Sequence, residues 1–67
     1  MTLAGLAHRR RARARALLLQ GDFAGALETA REAEALAATP DGAAIVRVSE
    51  CLLAAAGHPT RDAGGPG

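Results

Sequence analysis

The stretch Leu17-Leu18-Leu19-Gln20-Gly21-Asp22-Phe23-Ala24-Gly25-Ala26-Leu27 decides the fold. Three leucines carry an apolar helical pattern up to Gln20, and a glycine–aspartate step then breaks it. Glycine takes the left-handed conformation at a helix C-terminus without a Cβ clash, so Gly21 reads as the end of one helix. An aspartate at the next position accepts from free N–H groups and meets the positive end of a helix dipole, so Asp22 reads as the N-cap of a second helix. Two helices joined this tightly fold back on each other as a hairpin. Phe23 is then placed to plug the hairpin beside the turn, and Ala26 lets the two backbones approach.

Toward the N-terminus, the pattern predicts a helix from about Leu3 to Gln20, with Thr2 as its N-cap. At ~100° per residue, Leu3, Leu6, Ala7, Ala14, Leu17 and Leu18 fall on one arc. Arg10 falls in the middle of that arc. Either its stem lies along the apolar surface with its head at the edge, or it pairs with an acid of the second helix, or the first turns fray. Toward the C-terminus, a second helix is predicted from about Phe23 to Ala38. Phe23, Ala26, Leu27, Ala30, Ala33 and Ala37 repeat on it at helical spacing, with Glu28 and Glu32 one turn apart on another face. Thr39-Pro40 stops it, because the residue before proline is pushed out of the helical region. A third helix is predicted from about Gly42 to Ala56 with Asp41 as its N-cap. Ile45, Val48, Leu52 and Ala55 form one apolar stripe on it, and Val46 and Leu53 a second. That surface is wider than the rest of the chain can cover. Gly57 and His58-Pro59 end the helix, and the Gly/Pro-rich tail is expected to be disordered. The reading is one all-α helical domain over 1–57 and a flexible tail over 58–67.

Composition agrees with this class. A chain of 67 residues holds one small domain whose core leaves little stability to spare. Phe23 is its lone aromatic residue, and Val and Ile occur only at Ile45, Val46 and Val48, which leaves little material for strands. The single Cys excludes an intrachain disulfide. Cys51 lies mid-helix beside Leu52 and Leu53 and is expected to be a buried, inert thiol, although Arg47 one turn earlier is the kind of neighbour that activates one. No His/Cys grouping has metal-ligand spacing, so neither a metal nor a cofactor is expected. No apolar run approaches a membrane span and no signal-peptide pattern is evident, so the expectation is a cytoplasmic protein.

Charge is unevenly spread. Residues 1–20 carry five Arg and no acid, whereas residues 21–41 carry Asp22, Glu28, Glu32, Glu34 and Asp41 against Arg31 alone. The run His8-Arg9-Arg10-Arg11-Ala12-Arg13-Ala14-Arg15 has two readings. It is either a phosphate- or acid-binding surface or a solvated helix face partly compensated by Glu28, Glu32 and Glu34 across the hairpin. Arg9, Arg10 and Arg13 share one side of the helix while Arg11 and Arg15 lie on another. The charge is therefore spread rather than gathered into a stripe. No aromatic residues accompany it to stack bases, so nucleic-acid binding takes second place.

Gly21, Asp22, Phe23 and Ala26, with Ala33 seven residues beyond Ala26, resemble the inter-helix turn and small positions of a tetratricopeptide repeat. A weaker echo in Leu53-Ala54-Ala55-Ala56-Gly57-His58 puts Gly57 36 residues after Gly21, against a family period of ~34. Pro40, at the place of the family's repeat-ending proline, also arrives two residues late, so one short insertion near the end of the second helix accounts for both offsets. Arg10 and Arg13 stand where the family prefers a large aromatic and a leucine, and Ala30 where it has a second aromatic. The resemblance implies a helical hairpin plus a capping helix, about one and a half repeats, where the family normally stacks at least three. It also implies a protein–protein interaction module: an accessory subunit, adaptor or assembly factor rather than an enzyme. The expected partner is a larger protein, with an acidic surface to suit the basic first helix, or a second copy. The expected contact residues are Arg10, Arg13, Leu17, Val46 and Leu53, on the inner face of the first helix and the leftover apolar face of the third. Two rival functions are a nucleic-acid-binding regulator acting through the Arg cluster, and a small peptide precursor read by an enzyme. The tail offers only Thr60 as a hydroxyl and no Cys, which argues against the last.

Overall fold

The computed structural model describes residues 2–57, and the expectations for the tail lie outside them. They form three α-helices and no strand: α1 (Leu3–Gln20), α2 (Phe23–Leu36) and α3 (Pro40–Gly57). The first helix has the predicted bounds and the predicted caps. Thr2 Oγ1 accepts from the Gly5 N–H at 3.0 Å. At the other end Gly21 has φ +86°, and the Gly21 and Asp22 N–H groups donate to the Leu18 and Leu17 carbonyls at 3.0 and 2.9 Å. That pair of bonds closes the helix as a Schellman motif, which requires the left-handed residue glycine supplies. Asp22 then caps α2, its Oδ1 accepting from the Gly25 N–H at 3.0 Å.

Three bounds differ from the sequence reading, the end of α3 by a single residue, at Gly57 instead of Ala56. The second helix stops at Leu36, two residues before the expected Ala38, because Ala37 is extended at φ −160°. The third helix begins at Pro40 and not at Gly42. Its cap is Thr39, whose Oγ1 accepts from the Gly42 N–H at 3.0 Å, and Asp41 sits in the first turn instead of at the N-cap. Proline is favoured at the first helical position, where its missing N–H is one that has no partner anyway.

The corner between α2 and α3 is tied from three directions. Glu34 Oε2 accepts from the Thr39 N–H at 3.0 Å, and Arg11 of α1 donates from Nη1 to the Ala37 carbonyl at 3.2 Å. Gly42 is buried under both side chains, and a Cβ there would run into the Glu34 carboxylate and lie 3.3 Å from Arg11 Cδ. A side chain there would have to displace the Glu34 carboxylate and with it the bond to Thr39.

Packing follows from the alanine content. Helices α1 and α2 pair along their lengths, α2 pairs with α3, and α1 meets α3 only briefly. The buried apolar residues are Ala7, Ala14, Ala26, Ala30, Ala33 and Ile45. Alanine at the contact points lets helices approach closely, as expected for Ala26 and Ala33. Each contributes little buried area, so Ile45 is the principal anchor, worth about 1.5–3 kcal/mol for a fully buried aliphatic side chain. It packs with Ala14 and Ala30, flanked by the half-buried Leu18 and Val46. Phe23 is half-buried at the turn.

Two ion pairs cross the helix seams. Arg10 meets Glu32 at 3.1 Å between α1 and α2, and Arg31 meets Glu50 at 3.0 Å between α2 and α3. Of the three readings of Arg10, the structure selects pairing with an acid of the second helix. Both pairs are about half exposed to water, so each contributes no more than ~1 kcal/mol.

Candidate functional site

The described residues leave two surfaces unfinished. The first is the C-terminal half of α3. Every residue from Cys51 to Ala56 is exposed. Val48 remains 47% exposed, and Leu52 and Leu53 37% each. At ~100° per residue, Val48, Leu52 and Ala55 lie together on the flank of Ile45, so they continue the core stripe outward into solvent. Cys51 is exposed as well, which corrects the expectation of a buried thiol. The stripe through Ile45, Ser49 and Val46 faces the other helices, and Cys51 points away from it.

The second surface is the back of α2. Ala24, Leu27, Glu28, Arg31, Glu32 and Ala35 form one side of a groove of about 510 Å³, with Leu53 of α3 bordering it. The floor is apolar and the rim is charged. Arg31 and Glu32 are held by their cross-helix partners, and Glu28 has no cation in reach among the described residues.

The basic cluster divides in a way its sequence only half announces. Arg10 is taken up by Glu32 and Arg11 by the end of α2. Arg9, Arg13 and Arg15 are exposed and have no carboxylate in reach among the described residues. Arg15, one turn beyond Arg11, lies on the α1 edge that borders α3. Arg9 and Arg13 lie on the opposite edge beside Arg10. Two of the five cations are thus engaged within the fold and the other three point to different sides, a poor match to a nucleic-acid backbone. His8 is exposed, and His58 lies outside the described residues.

Of the expected contact residues, Arg10 and Leu53 come to the same place: Leu53 borders the groove, and Arg10 pairs with Glu32 on its wall. Arg13 is exposed and Leu17 half-buried on the same edge of α1. Val46 is set apart, since its side chain packs against the Ala14–Ala30–Ile45 cluster. The outward-facing aliphatic residues are instead Val48 and Leu52, members of the stripe that also carries Ile45. Leu19 is also outward-facing, 90% exposed at the end of α1. Angular spacing alone identifies these stripes but does not say which one faces the hairpin.

Among the described residues no group of three or more His, Cys, Asp or Glu is placed to hold a metal ion, and no helix is long and apolar enough to cross a membrane. No protein-family model matches the chain, and neither a curated protein nor a solved structure matches it.

Proposed function

We propose that this chain is a small protein-interaction module of tetratricopeptide-like build, an accessory subunit or adaptor that docks on a larger cytoplasmic protein and does no chemistry itself. The observation that carries this reading is the exposed aliphatic pair on α3, Val48 and Leu52, continuous with the core residue Ile45. Residues 58–67 contain no Leu, Ile, Val, Phe or Met that would cover it. The charges around it favour an acidic partner. Arg15 lies on the neighbouring edge of α1 and Arg47 on the far flank of α3, both exposed. The partner surface would then pair an apolar stripe with flanking carboxylates.

The test is recovery of the native complex with wild-type chain and with Val48→Asp and Leu52→Asp, the helical content of each variant being checked by circular dichroism. The expected result is one stoichiometric partner, lost with either substitution, whose cross-links to α3 map to an acidic, apolar-centred surface. Retention of the partner by both variants would overturn the reading. So would tight binding of duplex DNA that weakens steeply with salt.

A further inference from the structure

The back of the hairpin carries two charge columns that the α3 contact does not use. On α1, Leu6, Arg10, Arg13 and Leu17 recur at three- and four-residue spacing, with Arg9 alongside. On α2, Ala24, Glu28, Glu32 and Ala35 recur the same way and line the groove. The Arg10–Glu32 bond at 3.1 Å stitches the columns together, so both open on one side of the molecule. One column is basic and the other acidic, and the cations Arg9 and Arg13 and the anion Glu28 have no opposite charge in reach among the described residues.

We propose that this face pairs with a second copy of the chain, about a two-fold axis running parallel to the helices along the α1–α2 seam. Such an axis keeps height along the helices and exchanges left for right, so each basic column falls opposite the acidic column of the other copy. A two-fold axis across the helices would set like charges against each other. The contact is isologous, the usual way two identical chains close on themselves.

Register follows from the same ion pair. The Arg10–Glu32 bond and the tight turn from Gln20 to Phe23 together place an α1 residue n level with α2 residue 42 − n or 43 − n. To within two residues, or ~3 Å of rise that the long side chains span, Arg13 of one copy is level with Glu28 of the other. Leu17 is level with Ala24, and Leu6 with Ala35. The half-buried Leu17 therefore enters the apolar floor beside Leu27 and Leu53, while the charges close the rim. The dimer also supplies burial that the alanine core of a single chain lacks.

Sedimentation velocity over a range of concentrations tests the pairing, with circular dichroism to check that each variant is folded. Arg13 and Glu28 are exposed, so their exchange leaves the helices intact. Wild type is expected to dimerise, and Arg13→Glu and Glu28→Arg each to weaken the dimer at least about tenfold, since each sets like charges against one another. The decisive measurement is an equimolar mixture of the two variants. One then presents acids at both positions and the other cations at both, so every contact is complementary again and a heterodimer forms near wild-type strength. A monomeric wild type, a dimer that both variants leave intact, or a mixture that does not associate would overturn the proposal. Val48→Asp is expected to leave the dimer unchanged. Loss of dimer with that variant and not with Arg13→Glu would place self-association on α3 instead.

Discussion

Replacing Ser49 should make the protein more stable. Ser49 is 0% exposed on the inner face of α3, and its Oγ has no hydrogen-bond partner. A buried hydroxyl that gives up water without a partner costs about 1–3 kcal/mol. Alanine removes that cost and is a better helix former by roughly 0.5 kcal/mol. Against this stands the gap left by one oxygen atom, less than the ~0.8 kcal/mol of a buried methylene. The net expectation for Ser49→Ala is a gain of about 1–2 kcal/mol. In a chain of this size each kcal/mol moves the melting temperature by about 4–8 °C, so a circular-dichroism melt should rise by at least about 4 °C. In urea the midpoint should rise with the slope unchanged. A melt that stays level or falls would show that the hydroxyl is satisfied, most simply by the carbonyl of Ile45 one turn earlier.

Gly21→Val should lower stability by well over ~1 kcal/mol, because a β-branched residue is strained at φ +86°; an unchanged thermal melt would remove the Schellman turn from the account. Arg11→Gln should cost about 0.5–1 kcal/mol by removing the donor and charge at the end of α2, whereas Arg15→Gln, on the same edge with no partner, should stay within ~0.5 kcal/mol. Equal effects of the two in urea titrations would show that the Arg11–Ala37 contact is not worth what its geometry suggests.

How far the sequence reveals this molecule depends on whether the signal is local. The first helix, its Thr2 cap, the Gly21–Asp22 turn and the Asp22 cap are each written within a few consecutive residues, and the structure agrees with all of them. The corner at residues 37–42 departs from the sequence reading because two local signals compete there. Alanine propensity argues for continuing α2 through Ala38, and Asp41 resembles a cap. Thr39 before Pro40 is both the stop signal for α2 and the stronger capping signature for α3. The buried Gly42 could not be foreseen, since it depends on Arg11 and Glu34 arriving from two other helices. The exposure of Cys51, Val48 and Leu52 has the same origin. An apolar stripe can be counted from spacing, but the face that meets a neighbour is set by the angle at which α3 leaves its corner.

That corner makes α3 a lever. Its first turn is clamped by Thr39, Glu34 and Arg11 around a glycine with no room to spare, while its last turns touch little. From Gly42 to Ala56 the arm is about 21 Å long, so a tilt of about 10° at the pivot sweeps the tip through roughly 4 Å. Val48 and Leu52 lie partway along that arm. Any rotation that changed their spacing from α1 would have to carry Ile45 and Ser49 with it, while the hairpin beneath is bridged by Arg10 and Glu32. A bound surface that grips the tip would work against the corner at residues 37 to 42, and also against the packing of Ile45 and Ser49 and the Arg31–Glu50 bond that hold α3 to α2.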